Sequence, residues 1–216
     1  MKVTIEELWN HGDAVAWDKA LSNYWTAIKP QNMAVEEEMD QLDPGKVSAM
    51  DIDTFYRWLH DRYFVWKYTA ANRLASTRKK LKNYEGDKTA RTELDRIHTA
   101  LFNFDKQQPL SGLEIAMQIQ GLGVAGASGL LAVLFPQYFG TVDQFVVQEL
   151  KRLRQYQSSA GLPANPRKDG TYAINITHAV YIIEEFRRKA TELNTKFATD
   201  RWTPRKIDMV LWSIRS

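Results

Sequence analysis

The chain has 216 residues, of which 44% are hydrophobic and 25% are charged, a balance typical of a folded globular protein. It contains no cysteine, which excludes disulfides, cysteine nucleophiles, thiolate zinc sites and iron–sulfur clusters. The net charge of +3 and the isoelectric point near 9.0 are mildly basic, so composition by itself hints at a polyanionic partner without identifying one.

Hydrophobic periodicity along the chain is helical almost throughout. It predicts helices at residues 5–10, 14–28, 34–41, 51–84, 88–103, 112–120, 125–134, 144–157, 174–198 and 204–214, and we expect the long element at 51–84 to divide in two. Predicted breaks fall at Lys29-Pro30, Asp43-Pro44-Gly45, residues 84–87, Gln108-Pro109 and residues 158–170. Asp51 and Thr203 suit helix N-caps. We therefore predict an all-α fold, with residues 1–216 forming one unit of two closely joined helical lobes.

Membrane insertion and export are not expected from the sequence. No apolar run approaches the roughly 20 residues that a membrane span needs. The N-terminus carries acids where a signal peptide needs an apolar stretch. We expect a cytoplasmic monomer.

Basic residues are concentrated between Arg57 and Lys82. Eight of them accompany a single acid, Asp61; they are Arg57, Arg62, Lys67, Arg73, Arg78, Lys79, Lys80 and Lys82. Aromatic residues interleave this stretch, so it is a candidate surface for nucleic-acid phosphates. The alternative is an ordinary solvated helix face.

The most informative segment is residues 112–157. Two helical patterns flank Gly-Leu-Gly-Val-Ala-Gly at 121–126, which predicts two helices joined by a tight turn. Such a turn brings backbone N–H groups close to a phosphate at the start of the second helix. The alternative is an αα-hairpin whose small residues permit close packing. An apolar stretch then leads to Asp143, which is placed to cap a further helix.

This arrangement resembles the helix-hairpin-helix DNA glycosylase superfamily, in which a Gly-x-Gly hairpin is followed by a helix, a turn and a catalytic aspartate. Gly121 and Gly123 match the hairpin glycines and Asp143 matches the aspartate. The close match covers about forty residues, and the flanking segments resemble uncharacterised bacterial proteins assigned an 8-oxoguanine-glycosylase-like fold. The resemblance implies a helix-hairpin-helix glycosylase fold, DNA as the partner, Asp143 as the catalytic residue and a DNA-backbone contact at Gly121, Gly123, Ala125 and Gly126.

Ala125 departs from part of this superfamily. Members that also nick the strand carry a lysine just after the second hairpin glycine, where this chain has alanine. The resemblance therefore implies a monofunctional glycosylase that leaves an abasic site and needs no cofactor or metal. Its role would be in base excision repair or in defence against modified phage DNA. A carboxylate at Asp143 would stabilise positive charge developing on the sugar and orient water, whereas the alternative role is an N-cap alone.

A glycosylase also needs side chains that receive an extruded base and contact the strands. Our candidates are Gln118, Gln120, Gln144, Trp66, Lys67, Asn72 and Arg73. We expect Trp58 and at least one of Phe64 and Tyr68 to be buried structure. Two rival functions remain open: a non-catalytic helix-hairpin-helix DNA-binding module, and a helical interaction protein whose hairpin is packing alone.

Overall fold

The computed structural model describes residues 4–214, and these residues form an all-α protein, as predicted. The helices are α1 (Ile5–His11), α2 (Ala14–Ala27), α3 (Pro30–Asp40), α4 (Pro44–Ser48), α5 (Ile52–Trp58), α6 (Phe64–Lys67), α7 (Ala71–Leu81), α8 (Lys88–Asn103), α9 (Pro109–Met117), α10 (Val124–Leu134), α11 (Gln144–Arg152), α12 (Ile176–Lys196) and α13 (Pro204–Ile214). Within residues 4–214, β-structure is limited to one isolated bridge between Pro166 and Tyr172.

The chain forms two compact units. The first contains residues 4–29 and 136–214, and the second contains Pro30–Phe135. In the first unit α13 packs against α2, α11 and α12. Aromatic rings fill the space beside α1 and α2: the centroid of Trp17 lies 6.0 Å from that of Trp9 and 5.4 Å from that of Trp202.

The second unit is built around α10, which packs along α9 and is buried from Gly126 to Leu134. Helix α8 contacts α5 and α9, and α6 contacts α3 and α7. His98 on α8 is buried, and its Nε2 lies 3.0 Å from the carbonyl oxygen of Val47. The burial predicted for Trp58 and for Phe64 is confirmed.

Helix starts follow local side-chain chemistry. The backbone N–H of Thr54 donates to Asp51 Oδ1 at 2.7 Å, and the N–H of Lys206 donates to Thr203 Oγ1 at 3.2 Å. Both N-caps are therefore confirmed, because each oxygen satisfies a first-turn N–H group that has no partner inside the helix.

Several predicted boundaries are wrong: the helices predicted at 34–41, 112–120 and 144–157 are Pro30–Asp40, Pro109–Met117 and Gln144–Arg152. The predicted break at Asp43-Pro44-Gly45 begins α4, since Asp43 accepts from the N–H of Gly45 at 2.8 Å and Pro44 occupies the first turn. The predicted element at 51–84 divides in two as expected: α5, a π-helical turn at Leu59–Tyr63 and α6 run continuously, and α7 with a 3₁₀ turn at Lys82–Tyr84 follows after residues 68–70. Proline is tolerated in the first turn of a helix, so the predicted breaks at Lys29-Pro30, Asp43-Pro44-Gly45 and Gln108-Pro109 are also helix starts.

None of the helices within residues 4–214 has both the length and the apolar character that crossing a bilayer requires.

Candidate nucleic-acid interface

The predicted hairpin is present as α9, a turn at residues 118–123, and α10. Gly121 has φ of +99°, in the left-handed region that favours glycine. A Cβ atom at Gly121 would lie 2.9 Å from the carbonyl oxygen of Thr77 on α7. Glycine is therefore required at this position both by the backbone conformation and by close packing against α7.

Gly123 has a different environment. It is exposed, its φ is −98°, and a Cβ atom there would meet open space. It precedes α10 without a side-chain cap, while Val124 and Ala125 in the first turn are partly exposed. The first-turn N–H groups of a helix attract anions when no side chain caps them. Gly123 thus leaves room for a ligand oxygen to approach this turn.

Gly126 is a packing residue. It is buried, and a Cβ atom there would overlap the Tyr68 hydroxyl and lie 2.9 Å from Leu122 Cδ2. The Tyr63 hydroxyl donates a hydrogen bond to the Gly126 carbonyl oxygen. The π-turn therefore holds α10 through the Tyr63 hydroxyl, and the Tyr68 hydroxyl packs against Gly126. A ligand can approach the first turn of α10 at Gly123 more directly than at Gly126.

Helix α7 carries the exposed part of the predicted basic stretch. Thr77 and Leu81 face the interior, whereas Arg73, Lys79 and Lys80 are exposed. The Thr77 carbonyl contact with Gly121 places this basic helix beside the hairpin turn.

Two other basic residues of the stretch are engaged within the protein. Arg62 forms an ion pair with Glu38, and Arg78 Nε donates to the His60 carbonyl oxygen at 2.9 Å. The candidate phosphate surface within the second unit is consequently α7 together with the hairpin turn, and not the whole segment from Arg57 to Lys82.

Asp143 is the N-cap of α11. Its Oδ1 accepts hydrogen bonds from the N–H groups of Phe145 at 3.0 Å and Val146 at 3.2 Å. Its Oδ2 makes no hydrogen bond to any other described residue, and the side chain is partly exposed. One oxygen therefore fixes the orientation of the carboxylate, while the other makes no hydrogen bond within residues 4–214.

The loop before Asp143 is anchored by a buried polar network that the sequence analysis missed. The N–H of Thr141 donates to Asp208 Oδ2 at 2.5 Å, and Asp208 Oδ1 accepts from Arg205 Nη1 at 2.7 Å. Arg205 Nη2 also donates to the Tyr24 hydroxyl at 3.1 Å. These partners are too far apart in sequence for a spacing rule to connect them, although Asp208 stands out as an acid within an apolar helix.

The predicted glutamine base readers make hydrogen bonds within the protein. Gln118 Oε1 accepts from Arg96, Gln120 Oε1 accepts from Asn83 Nδ2 at 2.6 Å, and Gln144 Nε2 donates to the Tyr172 carbonyl oxygen at 2.6 Å. A nucleobase that used these atoms would have to replace or share those partners.

The other predicted contact residues divide into one buried and three more accessible side chains. Trp66 is buried, and its Nε1 donates to Glu36 Oε2 at 2.8 Å. Lys67 Nζ lies 5.7 Å from the Trp66 ring centroid, and a Cβ atom at Gly129 would lie 3.0 Å from Lys67 Cδ. Asn72 and Arg73 are exposed at the start of α7. Trp66 is structural, whereas Asn72 and Arg73 belong to the candidate phosphate surface.

The hairpin belongs to the second unit and Asp143 to the first.

Comparisons of the chain with protein-family models, with curated proteins and with solved structures found no match.

Proposed function

We propose that the protein is a monofunctional DNA glycosylase that hydrolyses the N-glycosidic bond of a modified or damaged base and leaves an abasic site. The observation that carries this proposal is the partly exposed Asp143 carboxylate, which is held through Oδ1 and whose Oδ2 makes no hydrogen bond to the other described residues. The reaction would serve base excision repair or the destruction of modified foreign DNA.

The proposed chemistry uses the charge of Asp143. Breaking the bond between base and deoxyribose develops positive charge on the sugar, and a nearby carboxylate lowers the energy of that state. The Oδ2 atom would face the sugar and orient the attacking water. The leaving base takes a proton, and the sugar carbon takes the hydroxyl group of the water.

DNA would be gripped by the hairpin turn and α7. Gly123 leaves the first turn of α10 accessible, and Arg73, Lys79 and Lys80 supply positive charge on the neighbouring helix. Contacts of this kind bind phosphates without reading base sequence.

The decisive test is a base-release assay on DNAs that carry oxidised, alkylated, deaminated and glucosylated bases. Asp143→Asn is the informative variant because asparagine caps a helix about as well as aspartate, so the fold is kept while the charge is lost. Asp13→Asn is the matched control, since Asp13 caps α2 in the same unit through a 2.8 Å bond from the Ala16 N–H. We expect alkali-dependent strand breaks with the wild type and with Asp13→Asn, and none with Asp143→Asn. Base release that survives in Asp143→Asn would refute the proposal.

Borohydride trapping tests the monofunctional assignment. Ala125 offers no amine, and the lysine whose side chain crosses α10 is Lys67, at Gly129. Residues 125 and 129 are one turn apart and therefore share a helix face. We expect no covalent protein–DNA adduct from the wild type. An adduct that disappears in Lys67→Gln would assign strand-nicking activity to Lys67.

A non-catalytic DNA-binding module is the second candidate. It is favoured by the hydrogen bonds that engage Gln118, Gln120 and Gln144 within the protein, which leave no dedicated base reader among them. This candidate predicts salt-sensitive DNA binding that Asp143→Asn does not change, with no base release from any substrate. Absence of salt-sensitive binding would favour a helical interaction protein instead.

A further inference from the structure

A cleft runs along α11 in the first unit, beside a small hairpin at residues 166–172. Its volume is about 640 Å³, within the roughly 300–1,000 Å³ of small-molecule sites. Its α11 wall contains Phe145, Gln148, Glu149 and Arg152, whose spacing of three, four and seven residues puts them on one helix face. Lys151 also lines it, and Pro166, Gly170 and Tyr172 form the opposite wall.

The hairpin wall is held in place by specific hydrogen bonds. The N–H of Arg167 donates to the Thr171 carbonyl oxygen at 2.6 Å, and Gly170 closes the turn with φ of +78°. The side-chain amide of Gln144 binds both backbone groups of Tyr172: Nε2 donates to the carbonyl oxygen at 2.6 Å, and Oε1 accepts from the N–H at 2.5 Å. The cleft therefore exists before any ligand binds.

The cleft combines an aromatic surface with positive charge. Phe145 is 42% exposed, unusually high for a large hydrophobic side chain, and Tyr172 is partly exposed opposite it. Arg152 Nη1 is held 3.0 Å from Oε2 of the buried Glu149, while the arginine side chain remains 48% exposed. Lys151 Nζ donates to the Gln157 carbonyl oxygen at 3.1 Å and adds a second cation. The Gln148 amide makes no hydrogen bond to any other described residue.

We propose that this cleft binds an unpaired nucleotide of single-stranded DNA, with its base stacked on Phe145 and its phosphate contacted by Lys151 and Arg152. Stacking on an aromatic ring beside cations is the usual way in which proteins hold single strands without reading their sequence. The Gln148 amide is placed to contact a base edge, because it offers both donors and an acceptor.

A bound peptide strand fits the cleft less well. An extended peptide binds by pairing with unpaired backbone groups at a strand edge. At Tyr172 both backbone groups are already engaged by Gln144. The proposal rests on the DNA-binding part of the proposed function and is independent of hydrolysis by Asp143.

The test measures the affinity of the full chain for a short fluorescein-labelled oligothymidylate and for a blunt duplex, by fluorescence anisotropy. Phe145→Leu removes the aromatic face and keeps an apolar side chain, and Val15→Ala is the control because Val15 is exposed in the same unit. We expect Phe145→Leu to weaken oligothymidylate binding by about tenfold, Phe145→Trp to restore it, and duplex binding to stay unchanged. Thermal unfolding of each variant verifies the fold, and Gln148→Ala provides a second variant at the cleft.

Several outcomes would overturn the proposal. One is oligothymidylate affinity that stays within twofold of wild type in both Phe145→Leu and Gln148→Ala. Another is an acidic, tyrosine-containing peptide that competes as well as the oligonucleotide. A third is thymidine monophosphate that binds as tightly as the oligonucleotide, which would make the ligand a free nucleotide. If base release depends on Asp143 but Phe145→Leu leaves oligothymidylate affinity unchanged, the proposal for the cleft is refuted and the glycosylase proposal stands. If Phe145→Leu weakens oligothymidylate binding but no base release depends on Asp143, the glycosylase proposal is refuted and the cleft proposal stands.

Discussion

The backbone N–H of Thr141 donates a 2.5 Å hydrogen bond to Oδ2 of Asp208, so a buried carboxylate on α13 anchors the loop that leads into Asp143. The same carboxylate neutralises Arg205, which is also buried. Burying a charge is costly unless it is paired and hydrogen-bonded. The network therefore joins the start of α11 to α13 and makes the position of Asp143 depend on the core of the first unit.

Replacing Asp208 with asparagine should strongly destabilise the protein. The variant leaves the buried Arg205 without its counter-charge, and we expect the free energy of unfolding in urea to fall by about 3 kcal/mol or more. Asp18→Asn is the control, because Asp18 pairs with Arg201 at 2.7 Å where both side chains are 44% exposed. Its expected loss is below about 1 kcal/mol. Equal losses in the two variants would contradict the assigned role of Asp208.

The two hairpin glycines should respond differently to alanine. Gly121→Ala puts a Cβ atom into the Thr77 carbonyl and strains a positive φ, so we expect a loss of about 1–3 kcal/mol in unfolding free energy. The Cβ atom of Gly123→Ala meets open space, so the unfolding free energy of this variant should stay within about 0.5 kcal/mol of the wild-type value. Its methyl group should instead weaken DNA binding by obstructing the first turn of α10. Denaturant unfolding and anisotropy titration measure the two effects. Unchanged DNA affinity in Gly123→Ala would argue against a phosphate at this turn.

Salt dependence tests the basic surface of α7. If Lys79 and Lys80 each neutralise a phosphate, replacing either with glutamine should reduce the slope of log affinity against log salt by about 0.9. Lys46→Gln is the control, because Lys46 is exposed in the same unit but lies on α4. Slopes that match wild type in the α7 variants would show that DNA binds elsewhere.

Tyr68 should make stability depend on pH in the alkaline range. Burial raises the pKa of its hydroxyl to about 12, from a usual value of about 10. Between these pH values the unfolded chain has lost a proton that the folded chain keeps, so the free energy of unfolding falls as pH rises. The unfolding free energy of Tyr68→Phe should fall less steeply over that pH range than that of the wild type. At pH 7 the two unfolding free energies should agree within about 0.5 kcal/mol. Urea unfolding at the two ends of that alkaline range measures the difference. Identical slopes of unfolding free energy against pH in the variant and the wild type would contradict the prediction.

Much of the fold was predictable because helices are specified by short-range patterns. The bounds Lys88–Asn103 and Pro204–Ile214 were predicted to the residue, and Asp143 was predicted as the cap of α11. The π-turn at Leu59–Tyr63 and the helix at Pro44–Ser48 were missed. The first depends on how several aromatic residues pack at once, and the second begins at residues that usually mark a break.

The candidate site was predictable in its backbone elements and not in its side-chain partners. The glycine turn and the aspartate could be located from spacing, since each acts within a few residues of its own position. Trp66 and Gln144 were predicted as DNA contacts, yet they bind Glu36 and Tyr172 within the protein. Asp208 was not predicted at all, because its partner Thr141 is distant in sequence.

The sequence by itself determined that the fold is helical, where several helices begin, and where a capped carboxylate stands, because those features depend on groups a few residues apart. Only the tertiary structure decided which polar side chains are already engaged, why Gly126 must be small, and where α11 and the 166–172 hairpin form a cleft. Those properties depend on atoms that folding brings together from distant parts of the chain, and no local pattern encodes their distances.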